Sequence, residues 1–227
     1  MSKIRFMTCL IFMSLMVGCA TTATLQTQLE KKLALLDSKG LVLTTVTFDN
    51  KLDNRSLLPR LFLIGKDGNN KNDKYRFGSQ HLRALTEGRD FYLIILEENP
   101  GKHSFYSVRG SMVGGVFNPS FEAPMLVNYQ AKENEILYIG NIHLVLRKKT
   151  SDLELRAGPV IPIFDQAAIG DATFDVEIND EYERDINEFE KVFINLKGHS
   201  VVKRILPSWS RPTSQEFKPK KTLMGFY

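Results

Sequence analysis

Short apolar runs with a two-residue period dominate the chain from residue 40 to residue 178. The run at 41–49, LVLTTVTFD, is rich in β-branched residues and places Val42, Val46 and Phe48 on one face. Further runs bounded by turn residues lie at 58–65, 89–98, 100–111 and 172–178. Such alternation is typical of half-buried strands, and many short strands between turns indicate a sandwich or barrel. We therefore expect residues 40–178 to form a Greek-key-like β-sandwich in a mainly β protein.

The longest run, at 133–149, is apolar on both faces. Strict alternation divides its side chains into two sets, Ile136, Tyr138, Ile142, Leu144 and Leu146 on one face and Leu137, Ile139 and Val145 on the other. A strand that is apolar on both faces is buried on both. We therefore expect it to be a central strand of a two-layer structure.

Two shorter segments follow this strand. LELRAG at 153–158 is compatible with one half of a hairpin. ATFDVEI, a little further on, alternates and predicts a strand with Phe174, Val176 and Ile178 facing inward.

Residues 179–206 are predicted to form an amphipathic helix and a final strand that pack on the sandwich. The apolar side chains of the helix step by four, three, four and three residues, through Tyr182, Ile186, Phe189, Phe193 and Leu196. Asp180 and Glu183 have the spacing of a capping box, and Gly198 is a suitable C-terminal stop. The stripe is expected to lie against a sheet.

Two flanking segments lack the strand pattern. In residues 19–39, leucines recur at helical spacing, at Leu25, Leu29, Leu33 and Leu36. We expect a tether and then a short helix packed on its own domain, the alternative being a partner-binding or membrane-lying helix. Residues 207–227 contain proline and four basic residues against one acid. They predict a basic tail that Trp209 or Phe226 partly orders.

The first 18 residues have the pattern of a secretory signal. Lys3 and Arg5 precede an apolar run at 7–17. This run is shorter than the roughly 20 apolar residues that span a bilayer, but it fits the apolar region of a signal peptide, which has about 7–15 residues. Residues 1–18 are therefore predicted to be a signal peptide.

The end of this signal resembles a lipobox, the cleavage and acylation site of bacterial lipoproteins. Leu15-Met16-Val17-Gly18 precede Cys19, and the family usually has leucine where Met16 stands. The resemblance implies a diacylglyceryl group on the Cys19 sulfur, cleavage before Cys19 and acylation of its amine. Ala20 resembles the pattern sorted to the outer membrane. An ordinary signal peptide or a buried free thiol is the alternative.

Composition limits the mature chain further. Cleavage would leave 209 residues, with 28 basic and 26 acidic side chains once Lys3 and Arg5 are removed. This balance disfavours nucleic-acid binding, which requires a clustered basic face. The second cysteine, Cys9, lies in the signal, so an internal disulfide is not expected. Stability must then come from the core, for which 43% hydrophobic residues suffice.

The segment from 89 to 147 contains a turn and strand pattern of its own. PGKHSFYSVRG supplies a Pro-Gly turn at Pro100 and Gly101 before an aromatic strand, and the later strand contains Tyr138 and Gly140 in a Tyr-x-Gly pattern. This arrangement resembles transthyretin-like and carboxypeptidase-regulatory-like β-sandwich modules. The same arrangement occurs in bacterial lipoprotein families of unknown function. The resemblance implies a Greek-key fold and no activity.

The histidines show no metal-binding spacing. His81, His103, His143 and His199 form neither an H-x-H nor an H-E-x-x-H pair, so no metal is expected. His143 alternates with apolar residues, which predicts a hydrogen-bonded structural residue in a sheet. His103, beside the Pro-Gly turn, is expected to be solvated.

Other candidate motifs are incomplete. Ser104 and Ser111 lack the elbow that surrounds a serine nucleophile, and the glycine-rich segment 110–115 lacks the residues of a phosphate loop. The segment at 66–73 offers oxygen ligands for calcium, namely Asp67, Asn69, Asn72 and Asp73. It lacks the glycine and distal glutamate of a calcium loop, which favours a hairpin loop.

One group of carboxylates is a candidate catalytic site. The group comprises Asp165, Asp171, Asp175 and Glu177. Asp175 and Glu177 alternate on one strand face, a geometry that a general acid and base would need. It is equally the solvent face of an edge strand, where charges discourage edge pairing. We favour the edge strand.

The sequence favours a membrane-anchored envelope lipoprotein that acts as a non-enzymatic accessory or binding module for an envelope protein or polymer. One alternative is a carrier of a small ligand or lipid inside the sandwich. Another is an envelope hydrolase that uses Asp175 and Glu177. We expect no cofactor, and we expect the acyl chains on Cys19 to hold the chain at the outer membrane, with its domain in the periplasm.

Overall fold

The computed structural model describes residues 38–52, 59–67, 74–78, 80–86, 89–112, 120–158 and 171–213. The predicted signal peptide, Cys19 and the predicted helix at 25–36 lie outside these residues. So do Asp165 and Phe226, and most of the segment at 66–73.

The described residues contain ten strands and one α-helix. The strands are β1 (Gly40–Asn50), β2 (Pro59–Asp67), β3 (Lys74–Gly78), β4 (Gln80–Thr86), β5 (Arg89–Glu98), β6 (Gly101–Met112), β7 (Ser120–Ala131), β8 (Ile136–Lys148), β9 (Ala172–Asn179) and β10 (Val201–Lys203). The helix, α1, spans Tyr182–Val192 and is followed by a 3₁₀ turn at Ile194–Leu196.

The strands form two sheets that pack face to face. The six-stranded sheet, here sheet A, has the order β10-β8-β1-β5-β4, with β9 also paired to β8. The four-stranded sheet, here sheet B, has the order β3-β2-β6-β7. Consecutive strands cross from one sheet to the other after β1, β3, β5 and β7. The predicted mainly β, Greek-key-like sandwich with a packed helix is confirmed in these two sheets and in α1.

The core between the sheets consists of the inward side chains of both. Val42, Val46 and Phe48 of β1 all belong to it, as the alternation predicted. Phe48 stacks on Phe121 of β7 with ring centroids 5.2 Å apart, so an aromatic pair joins the two sheets. Each fully buried side chain of this size contributes roughly 1.5–3 kcal/mol to folding.

Strand β8 is central, as predicted, but its predicted faces are wrong. β8 pairs with β1 in parallel, and the register shifts between Leu43 and Thr45 because β8 carries one extra residue there. This bulge reverses the alternation. The set facing sheet B is Leu137, Ile139, Ile142, Leu144 and Leu146, whereas Ile136 and Tyr138 face α1.

Gly140 makes the bulge possible. Its φ is +109°, and a Cβ there would lie 3.2 Å from the Asn179 carbonyl oxygen. Backbone in this region favours glycine because side chains clash there. The bulge also divides one edge of β8 between two partners, since β10 pairs with Ile136–Tyr138 and β9 with Asn141–Lys148.

Helix α1 covers the outer face of sheet A. Its predicted stripe is buried as expected, with Phe189, Phe193 and Leu196 in a second core together with Leu41, Leu43, Phe91, Leu93, Ile136 and Tyr138. The stripe continues beyond the α-helix into the 3₁₀ turn, and Gly198 follows with φ +87°. The molecule therefore has three layers: sheet B, sheet A and the helix.

The predicted capping box is wrong by one residue. The N-cap is Glu181, which makes no capping side-chain hydrogen bond. Asp180 lies one position earlier. It accepts a hydrogen bond from the Tyr182 N–H at 3.3 Å and pairs with Lys203 Nζ at 2.7 Å. The carboxylate thus links the helix start to β10.

The predicted hairpin strand at 153–158 is also wrong, because this segment forms turns and bends. Leu153 is 95% exposed. At the end of the segment, Ala157 bridges the two sheets: its N–H donates to the Ala172 carbonyl and its carbonyl accepts from the Glu122 N–H. Strand β9, by contrast, forms as predicted. Phe174 and Val176 are buried, and Ile178 packs against the same core.

The Gly140 bulge can be tested with a matched pair of substitutions. Gly140→Ala should lower the free energy of unfolding more than Gly198→Ala. Both place a side chain at positive φ, which costs of order 1–3 kcal/mol, but a Cβ at Gly198 meets nothing within 4 Å. Urea denaturation of the two variants measures the difference. Equal losses in the free energy of unfolding would show that the close approach of a Cβ to the Asn179 carbonyl adds no cost beyond that of the positive φ.

Candidate functional site

The two candidate carboxylates lie on β9, whose only strand partner among the described residues is β8. Asp175 is not free to act as a general base. Arg147 Nε donates to its Oδ2 and Arg211 Nη2 to its Oδ1, both at 2.5 Å. Glu177 is 3.4 Å from His143 Nδ1 and is largely exposed. Asp175 and Glu177 therefore have different partners, although they share a face.

Asp175 belongs to a cluster of alternating charges. Arg147 Nη2 also donates to Glu154 Oε1 at 2.5 Å. This bond, with the Thr150 N–H, holds the pKa of Glu154 at about 2, and the same carboxylates raise the pKa of Arg147. Two guanidinium groups and two carboxylates balance each other. The cluster connects β8, β9, the 150–154 turn and the C-terminal segment.

The C-terminal segment at 204–212, here called the strap, crosses from sheet A to sheet B. It starts along β8, where the N–H groups of Arg204 and Leu206 donate to the Tyr138 and Ile139 carbonyls at 2.9 Å. It reaches β7, where Trp209 Nε1 donates to the Pro124 carbonyl at 2.9 Å. The strap closes one side of the sandwich.

Trp209 and Arg211 hold the strap in place. Trp209 meets Phe174 edge to face with ring centroids 6.1 Å apart. The Arg211 guanidinium lies 5.1 Å from the Phe174 ring centroid and 5.6 Å from that of Trp209, within the range of cation–π attraction. Part of the predicted basic tail is thus docked through Trp209.

A cleft lies between the strap and β7. It has a volume of about 350 Å³ and is lined by Met125, Leu126, Val127, Asn128, Pro207, Ser208, Ser210 and Pro212. None of these side chains is charged. The volume is at the lower end of the roughly 300–1,000 Å³ range of ligand pockets.

Leu126, on the β7 side of the cleft, has an unusual conformation. Its φ is +51°, and the residue is 38% exposed. It lies where the β6–β7 register shifts between Phe105 and Ser107. A bulky residue at positive φ is strained, and here the strain belongs to a bulge that turns a leucine toward the cleft.

His103 corrects the prediction of a solvated residue, because it is only 3% exposed. Its Nε2 is 2.7 Å from the Asn99 carbonyl and its Nδ1 is 3.2 Å from Glu98 Oε2. Tyr129 donates to the other Glu98 oxygen at 2.6 Å. The strands on either side of the Pro-Gly turn bury these polar groups at the end of the sandwich.

A second buried polar group lies beneath α1. The Asp185 side chain is fully buried and accepts from Thr45 Oγ1 at 2.5 Å, from the Tyr138 hydroxyl at 2.6 Å and from the Arg184 guanidinium at 2.7 and 2.8 Å. Burial raises the pKa of Asp185, and these hydrogen bonds oppose the rise. Asn141 extends the network by donating to Thr45.

Sequence reasoning missed this network, although a signal existed. Asp185 lies three residues after Tyr182 and four before Phe189, within the apolar stripe. An acid at such a position must find hydrogen-bond partners or face water. Which strand residues provide them depends on where the helix crosses sheet A.

The remaining candidates are dispersed. His143 lies in β8, as predicted. Contrary to the prediction of a hydrogen-bonded residue, its buried Nε2 has no hydrogen-bond partner among the described residues. His81 lies in β4 and His199 is exposed after the 3₁₀ turn. Ser104 and Ser111 lie in β6, while Asp171 is exposed before β9.

The described residues contain neither a metal-binding cluster nor a membrane-spanning helix. No group of three His, Cys, Asp or Glu side chains there could hold a metal ion. Within the same parts of the chain, no helix is long and apolar enough to cross a membrane.

Comparison of the chain with protein-family models, curated proteins and solved structures found no match.

The structural role of Asp175 predicts that Asp175→Asn loosens the strap, because the amide cannot keep both arginine bonds. Trp209 is the single tryptophan, so its fluorescence reports strap docking. We expect a red-shifted emission and greater quenching by acrylamide. Glu177→Gln, on the same strand face, is the matched control and should leave the emission unchanged. A shift of equal size in both variants would contradict this role.

The charge cluster predicts an acid-sensitive contribution to stability. The pKa of Glu154 is lowered to about 2, so the folded state favours the ionised form. This contribution is present above the usual value of about 4.5 and is lost as the pH falls toward about 2. Urea denaturation of wild type and Glu154→Gln between these pH values should show that the stability difference between them shrinks on acidification. A stability difference that does not change with pH would exclude this link between the ionisation of Glu154 and folding.

Proposed function

We propose that this protein is a lipid-anchored lipoprotein of the bacterial outer membrane that acts as a non-enzymatic binding module in the envelope. The observation that carries the proposal is the run Leu15-Met16-Val17-Gly18-Cys19 after a charged and apolar leader. Two or three acyl chains at Cys19 would hold the chain stably, since one alone binds membranes only marginally.

The arrangement of the described domain supports this role. The first described strand begins at Gly40, so the segment between Cys19 and this strand could serve as the tether that the proposal requires. The module carries an uncharged cleft at the side that the strap closes. We therefore propose this cleft as the binding site of the module.

The alternatives receive less support from the side-chain contacts. A hydrolase that depends on Asp175 and Glu177 requires one of them to accept a proton, but two arginines bind Asp175. A carrier requires space between the sheets, where large aromatic side chains such as Phe48, Phe105 and Phe121 pack together. The cleft, in contrast, lies at the surface.

Metabolic labelling tests the anchor. In a bacterial host supplied with an alkyne-tagged palmitate, the full chain should take up label and fractionate with the outer membrane. Cys19→Ala should lose the label and leave the membrane fraction, since it lacks the sulfur to be acylated. Cys9→Ala is the matched control, because Cys9 lies in the predicted signal peptide and should not affect labelling.

Label that persists in Cys19→Ala, or wild-type chain that is never labelled, would overturn the anchor. An inhibitor of the lipoprotein signal peptidase provides a second readout. It should cause a precursor larger by the mass of residues 1–18 to accumulate.

A further inference from the structure

Strand β7 lies at one end of sheet B among the described strands, and other parts of the protein bond to its free edge. The Glu122 N–H donates to the Ala157 carbonyl. The Pro124 carbonyl accepts from Trp209, and the Gln130 carbonyl accepts from Arg204 at 2.9 Å. Unpaired sheet edges are templates for pairing with another chain, so these bonds protect the edge at both ends.

Between these contacts, no bond from another described residue to the β7 edge is found. Backbone groups on a strand point to the same side every second residue. Because the Gln130 carbonyl points outward to Arg204, the N–H and carbonyl of Asn128 also point outward. The cleft lies at this position, lined by Met125 to Asn128 on one side and by the strap on the other.

The chemistry of the cleft indicates what can fill it. Its eight lining residues are uncharged, although the side chains of Met125 and Val127 are buried in the core between the sheets. A charged ligand would therefore lose hydration without gaining a charged partner among the lining residues. Leu126 supplies an apolar contact, while the outward edge of Asn128 supplies one backbone donor and one acceptor. An extended peptide that adds a strand to a sheet edge uses this combination of backbone hydrogen bonds and side-chain pockets.

We propose that the cleft binds an extended, uncharged peptide segment of a partner protein, which pairs with β7 at Asn128 and contacts Leu126. The cleft, at about 350 Å³, is too small to admit a second folded copy of this 25.9 kDa chain. This inference rests on the proposed function as a binding module and names its partner class.

Selection from a library of uncharged heptapeptides, with the full lipidated chain in detergent micelles, tests the proposal. Selected peptides should show an apolar residue at alternate positions and bind saturably in fluorescence anisotropy. Copies of these peptides N-methylated at alternate residues should bind about tenfold more weakly or worse, equivalent to about 1.4 kcal/mol. Methylation removes the N–H donors of strand pairing and leaves the side chains unchanged.

Two variants test the β7 side. Asn128→Pro removes an outward N–H that the ladder with β6 does not use, and proline is tolerated on edge strands. Leu126→Gly removes the apolar contact and relieves a positive φ. Both should fold with a Tm near wild type, and each should weaken peptide binding by about tenfold or more, or about 1.4 kcal/mol.

Asn134→Gly is the matched control. Asn134 is the other described non-glycine residue at positive φ, at +54°, and it lies in the turn before β8. Asn134→Gly adds the same backbone freedom as Leu126→Gly, but at a position away from the cleft, so it should leave peptide binding unchanged. Circular dichroism of all three variants separates lost binding from lost folding.

Several results would overturn the proposal. They are a library with no selected peptide, binding that is indifferent to N-methylation, and binding that survives both Asn128→Pro and Leu126→Gly. Saturable binding of chitotetraose in place of any peptide would assign the cleft to a glycan. A chain that is acylated at Cys19 yet binds no peptide would overturn this inference alone, whereas an unacylated chain that binds peptide would overturn only the anchor.

Discussion

The parallel pairing of β1 with β8 is the contact on which the other layers depend. These strands are far apart in sequence and lie side by side in sheet A, with both faces buried. One face forms the core with sheet B, and the other forms the core beneath α1. Because the pair belongs to both cores, its loss would remove support from the helix and from the second sheet together.

A bulge in β8 lets this one strand contact both cores and several neighbouring strands. The bulge at Gly140 changes which β8 side chains face sheet B, and it falls where the neighbour of β8 changes from β10 to β9. A regular strand would place Tyr138 and Leu144 on the same face. With the bulge, Tyr138 reaches Asp185 of the helix while Leu144 stays in the inter-sheet core.

The contacts that hold the strap close one side of the sandwich. They also form the cleft between the strap and β7. Trp209 binds it to Pro124 of β7, Arg211 binds it to Asp175 of β9, and Arg204 binds it to the end of β7. Strap residues and β7 residues up to Asn128 line the cleft together. In the proposed binding, a strap held at both ends would lose little conformational freedom, which reduces the entropy cost.

The sequence by itself determined the mainly β class, most strand positions and the apolar stripe of α1, because solvent exposure imposes a period of two on strands and 3.6 on helices. Only the tertiary structure decided the Gly140 bulge, the burial of His103, the arginine partners of Asp175 and the cleft beside Leu126. Each depends on contacts between residues that are distant in sequence. Strand register and chain crossings bring these residues together, and local periodicity does not encode register or crossings.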